Sequence, residues 1–152
     1  MYKRQDIDLK ARIEEIRLIV GRKMNLGDVS NKTVPKMCLI AAPEKEGAVC
    51  TRNFIPHRVH EAIGVLGAVS VATACLLPGS VADGIAVVDQ SKPNASSLIT
   101  QNIEVEHPTG SFTIAMVVDN SGDTPSIQQS ALLRTCRKLF SGEVYVPASI
   151  WQ

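Results

Sequence analysis

Aromatic residues make up only 4% of this 152-residue chain, and 16 basic side chains stand against 15 acidic ones, for a formal charge of +1. With few rings for bases to stack on and no basic surplus to draw in phosphates, no nucleic acid is expected as a partner. The four cysteines, Cys38, Cys50, Cys75 and Cys136, form no CxxC pair and have no histidine at finger spacing, so no metal is expected. Cys38 and Cys75 lie in apolar runs and read as small core residues. Neither GxxxxGK[ST] nor GxGxxG occurs, which leaves no phosphate loop, and the lack of GxSxG leaves a hydrolase elbow unsupported. The longest apolar stretch, Ala62 to Leu77, stops at Pro78-Gly79, short of the roughly 20 residues that cross a bilayer. No membrane association is expected. Charges in the N-terminal segment occupy the place of a secretory signal's apolar region, and the chain reads as reduced and cytoplasmic.

What is present suffices for one domain spanning residues 1–152: 45% apolar and 20% charged residues can bury a core without staples. From Asp6 to Met24 the apolar positions Leu9, Ile13, Ile16, Ile19 and Val20 recur at helical spacing, with acids early and Arg22-Lys23 late, as the helix dipole favours. Met37 to Ile40 reads as a buried strand, and Ala48 to Phe54 as a second. A helix is expected from near Val59. Its glycines and alanines, interrupted only by Ser70 and Thr73, leave no wet face, so it should be enclosed, and Gly64→Leu or Gly67→Leu should overpack it. After Pro78 the signals are β: Ile85–Val88, Ile103–Val105, Ser111–Val118, Ser126–Arg134 and Glu143–Val146, separated by Pro93-Asn94, Pro108-Thr109-Gly110 and Asn120 to Asp123. Ser91 to Thr100 reads as a loop. The class is α+β: an N-terminal helix, then an antiparallel, hot-dog-like β-barrel around a central buried helix.

Two segments carry chemistry. Phe54 to Gly64 places His57, His60 and Glu61 at the start of an apolar helix, where unpaired amides attract anions and imidazoles titrate near neutrality. The small residues Ala62 and Gly64 would let a ligand approach the backbone. Solvated loop residues and a simple helix cap would produce the same pattern. His107-Pro-Thr109-Gly-Ser111 combines a proton carrier with two hydroxyls that can hold a carboxylate or an oxyanion, although a hairpin turn with a surface histidine reads the same way. Arg52, in a strand, could clamp a carboxylate. Arg134, Arg137 and Lys138 read as a solvated edge.

Taken in order, Arg12-Ile-Glu-Glu-Ile-Arg, Met24-Asn-Leu-Gly, Val34-Pro-Lys-Met-Cys-Leu-Ile-Ala-Ala-Pro, the small-residue helix ending Leu77-Pro-Gly-Ser, His107-Pro-Thr-Gly, Arg134-Thr-Cys-Arg-Lys-Leu and Gly142-Glu-Val-Tyr-Val-Pro resemble the C-terminal half of the methylaconitate isomerase (PrpF) family, relatives of diaminopimelate epimerase. The resemblance implies two pseudo-symmetric halves with a cleft between them, of which this chain supplies one, and cofactor-free proton transfer beside a carboxylate. It places the family's usual lysine and cysteine catalysts in the absent half. It brings the helix start at His60 to Val65 and the His107 to Ser111 turn to the cleft.

The expected function is therefore a cofactor-independent acid/base enzyme acting on a small anionic or acyl substrate. His60, Glu61 and His107 would be catalytic, and Arg52, His57, Gly64, Val65, Thr109 and Ser111 would bind substrate in a shared anionic pocket. Double-bond isomerisation and enol lactonisation, such as α-pyrone closure of a polyketide in secondary metabolism, share this chemistry. The contrasting expectation is a non-catalytic binding or scaffold dimer. A third is that the chain is a fragment of a longer enzyme, against which stand the initial Met and a plausible terminal strand with Trp151. In each of the first two cases a homodimer is expected, because a half-fold leaves an apolar face to cover.

Overall fold

The computed structural model describes residues 6–56, 58–88 and 98–151. His57 and the Pro93-Asn94 turn lie outside the described residues. Helix α1 (Ile7–Lys23) starts where expected, because the Asp6 carboxylate accepts the Leu9 amide at 2.9 Å as its cap. It ends in Arg22 and Lys23, cations beside the exposed carbonyls. The strands are β1 (Met37–Ala41), β2 (Val49–Ile55), the short β3 (Arg58–Val59), β4 (Leu98–His107), β5 (Gly110–Asp119) and β6 (Ser126–Leu132). A second helix, α2 (Val65–Leu76), lies between β3 and β4 in the chain.

All six strands form one sheet in the order β1-β2-β4-β5-β6, with β3 paired to β2. Most pairs are antiparallel, but β2 and β4 run parallel, with Val49 opposite Val105. Helix α2 lies across the face carrying Ile103, Val105, Ile114, Met116 and Val118, and its own Ala68, Val71, Ala72 and Cys75 complete the core. Strand alternation puts those sheet residues on a single face. Burial pushes the Cys75 thiol up to about 11, and the Cys38 thiol likewise, consistent with core residues rather than nucleophiles.

Four expectations are corrected. Among the described residues the sheet runs open from β1 to β6 and does not close into a barrel. Two strands expected to help close it do not form. Ile85–Val88 is turn and coil, held by Val87 N–H donating to the Ala48 carbonyl at 2.8 Å, and Glu143–Val146 is exposed coil. Conversely, Leu98–Thr100, expected in a loop, belongs to β4. Finally, α2 starts at Val65 rather than near Val59, because Val59 pairs with Phe54 and the His60 amide donates to the Asn53 carbonyl at 2.8 Å. An open sheet covers only one side of α2, so Leu66 is 82% exposed. A Cβ on Gly64 would meet nothing within 4 Å, and one on Gly67 would meet only Ile63 at 3.2 Å. Gly64 thus has room for a Cβ, and the tight packing expected at this position is not found there.

The tight packing lies elsewhere. The buried Glu106 carboxylate accepts the amides of Glu44 at 2.8 Å, Gly47 at 2.9 Å and Lys45 at 3.0 Å, tying the β1–β2 connection to β4. Burial alone would raise its pKa, but these amides, with the Lys45 charge, outweigh it and hold the carboxyl below its usual range. A Cβ on Gly47 would stand 2.5 Å from Glu106 Cγ. Gly47→Ala should therefore dislodge the carboxylate and cost roughly 1–3 kcal/mol. A urea unfolding midpoint matching the parent protein would refute this anchoring role.

Candidate active site

Because β4 runs parallel to β2, and β6 is antiparallel to β5, which is itself antiparallel to β4, the C-terminal ends of β2, β4 and β6 share one end of the sheet. The segment after β2 carries His60 and Glu61, the turn after β4 carries His107 and Thr109, and the chain leaving β6 carries Arg134. The topology gathers residues far apart in sequence at that end. The Thr109 hydroxyl donates to the Glu61 carbonyl at 2.9 Å, fastening the turn to the segment that leads into α2.

The two imidazoles are held alike. His60 Nδ1 accepts the Ala62 amide at 2.9 Å. His107 Nδ1 accepts the Thr109 amide at 3.3 Å, with the Thr109 hydroxyl 3.2 Å away. An imidazole that accepts at Nδ1 carries its proton on Nε2 in the neutral form, so both rings offer Nε2–H donors. His107 Nε2 is buried and without a hydrogen-bond partner among the described residues. The ring meets Phe112 edge-on, centroids 5.1 Å apart, and the Arg134 guanidinium lies 4.9 Å over that phenyl ring. At α2, Gly64 caps without a side-chain bond, leaving the first-turn amides beside an exposed Val65.

Burial, followed by repulsion from His60, pushes His107 below the ordinary histidine range, while the carbonyls of Ser111 and Glu61 work in the opposite sense. The ring is neutral at physiological pH. The unfolded chain then binds the proton more tightly than the folded one, so stability from this group is lost as the pH falls below about 6.5 towards the folded pKa. An NMR titration should give a His107 midpoint below that of a free histidine. A midpoint at or above it would contradict this environment.

The structure brings His60, Glu61, His107, Thr109, Gly64 and Val65 to one end, and it sets two others apart. Strand alternation turns Ser111 to the opposite sheet face, where its hydroxyl donates to Glu104 alongside that of Thr113. Arg52 also faces that side, near Cys50, with Nε buried and without a hydrogen-bond partner among the described residues. Two cavities lie away from the histidines. One of about 770 Å³ sits beyond the C-terminal end of α2, lined by Leu76, Pro78, Val88, Ile103 and Val118, and one of about 350 Å³ lies between α1 and Phe54. Reading the sequence missed the Phe112–Arg134 stack, although the alternation Phe112, Ile114, Met116, Val118 already puts the phenyl ring on the histidine's face. Among the described residues, no three His, Cys, Asp or Glu side chains group as metal ligands, and no helix is long and apolar enough to cross a membrane.

The α2-covered mixed sheet is a fold shared with a solved structure. The crystal structure of methylitaconate Δ-isomerase superposes with a TM-score of 0.62 over 86% of this chain and 37% of that one, at 14% identity. At the sequence level residues 3–147 match the PrpF protein family, and the chain belongs to it. A (4E)-oxalomesaconate Δ-isomerase from Novosphingobium sp. (strain KA1) is 55% identical over 91% of this chain and 36% of its own length. A 4-oxalomesaconate tautomerase from Pseudomonas putida is 49% identical over 96% of this chain and 37% of its own. The chain thus spans little more than a third of the length of these relatives.

Proposed function

We propose that this chain contributes one side of a site that shifts a double bond in a small unsaturated polycarboxylate, without a cofactor. The observation that carries the reading is the 55% identity to an oxalomesaconate isomerase across nearly the whole chain, supported by the histidine pair at the open start of α2. The chemistry is a proton removed from carbon beside a carbonyl or carboxylate and returned two carbons away. The electron pair rests meanwhile on oxygen as an enolate. Helix amides and the Nε2–H groups of His60 and His107 are suited to holding that oxygen, and Glu61 stands beside them as the carboxylate able to take the proton. Enol lactonisation draws on the same groups, but the relatives above are named for isomerisation and tautomerisation.

The partner in this reading is a second copy. Residues 133–151 leave Leu139, Phe140, Tyr145 and Trp151 each about four-fifths exposed, an apolar surface that association would cover. Light scattering of the purified chain should give a dimer, and a monomer at micromolar concentration would remove that part.

The decisive experiment incubates the full chain with 4-oxalomesaconate in deuterium oxide and follows it by proton NMR. Deuterium incorporation with double-bond migration above the buffer rate is expected. No exchange at any protein concentration would leave the non-catalytic scaffold as the better description.

A further inference from the structure

We infer that Arg134 is a specificity-determining residue that binds a second carboxylate of the substrate, an inference that rests on the isomerase reading above and deepens it. Three observations carry it. First, the β6 terminus delivers Arg134 to the same sheet end as His60 and His107, and its backbone is fixed there by Leu133 N–H donating to the Thr113 carbonyl at 3.0 Å. Second, the guanidinium lies 4.9 Å over Phe112, whose edge meets His107 at 5.1 Å between centroids. Two successive ring contacts therefore separate the cation from the imidazole, a span suited to a small polycarboxylate. Third, among the described residues Phe112 is the only partner of this guanidinium, and no carboxylate among them claims its donors.

A guanidinium held only over a ring keeps N–H donors for a ligand, and a free guanidinium edge matches a carboxylate bidentately. The contrast with Arg17 is direct. Arg17 spends its donors on Glu14 and three backbone carbonyls and is 1% exposed, whereas Arg134 is exposed and is held by a ring alone. With the oxyanion held by the histidines and α2, Arg134 would anchor the distal acid group and reject substrates that lack one.

The test titrates the full chain with trans-aconitate, a tricarboxylate, and crotonate, a monocarboxylate, following the His107 Cε1 proton by NMR. The parent protein should bind trans-aconitate at least tenfold more tightly than crotonate. Arg134→Gln should abolish most of that preference by weakening trans-aconitate binding alone, and Arg134→Lys should restore it in part, with unchanged thermal unfolding in both. Equal trans-aconitate affinity in Arg134→Gln and the parent would overturn the inference while leaving the isomerase reading standing. If the parent binds neither acid, this inference and that reading fall together.

Discussion

Arg17→Ala should cost about 3–5 kcal/mol of folding stability, because it removes the buried member of a half-buried ion pair together with three carbonyl contacts. The side chain is 1% exposed on α1 and works as a fastener. Its Nε and Nη2 each reach Glu14 at 2.7 Å, Nη2 also donates to the Val29 carbonyl at 3.0 Å, and Nη1 donates to the Val34 carbonyl at 2.6 Å and the Lys32 carbonyl at 3.3 Å. Truncation strands three carbonyls of the α1–β1 connection and removes the guanidinium from Glu14. Next to it, a Cβ on Gly21 would lie 2.5 Å from Val29 Cγ2, so this connection sits against the helix backbone with no room to shift and compensate. Arg17→Lys should recover little, since one ammonium cannot reproduce a planar fork that serves four groups. Urea denaturation of both variants is the measurement. An Arg17→Lys midpoint equal to the parent's would show that charge alone, not the fork, holds the connection.

That arginine also shows where the sequence was readable and where it was not. The limits of α1 were legible, because a capping aspartate and a charge gradient are local signals. Its buried stripe was not: periodicity selected the isoleucines, yet Ile16 and Ile19 are 42% and 53% exposed, and the buried line is Ile13, Arg17 and Gly21. A repeat identifies a face but does not say what it meets, and here it meets a loop whose carbonyls require donors. Strand β5 was legible from alternation. The strands expected at Ile85–Val88 and Glu143–Val146 were not, since a β-branched run becomes a strand only where a neighbouring edge is free to pair. The site was half visible. Its residue types stood out in two segments, but their meeting depends on the parallel β2–β4 pair, a tertiary choice with no local code. The same choice brings in Arg134, which reads as an edge residue in one dimension.

In the isomerase reading, the largest effect on activity should come from His107→Asn, with turnover falling by about 10²–10⁴ and the fold retained, as for loss of a positioned acid or base. Its ring is held on two sides: Nδ1 accepts the Thr109 amide, the ring packs edge-to-face with Phe112, and Nε2 is buried with no partner among the described residues. Asparagine keeps polarity but cannot hold a proton on a ring nitrogen. The pH profile separates a chemical role from a structural one. Because His107 is pushed below the ordinary histidine range, the neutral donor form persists into mildly acid solution, and the ascending limb of the parent's turnover should have its midpoint below about 6.5. His60→Asn relieves the repulsion that helps lower His107, so in that variant the limb should move upward in pH. A merely structural His107 would leave the midpoint of that limb unmoved by His60→Asn. Full turnover in the double variant His60→Ala/His107→Ala would remove both imidazoles from the chemistry and leave Glu61 and the α2 amides as the remaining groups at this end of the sheet.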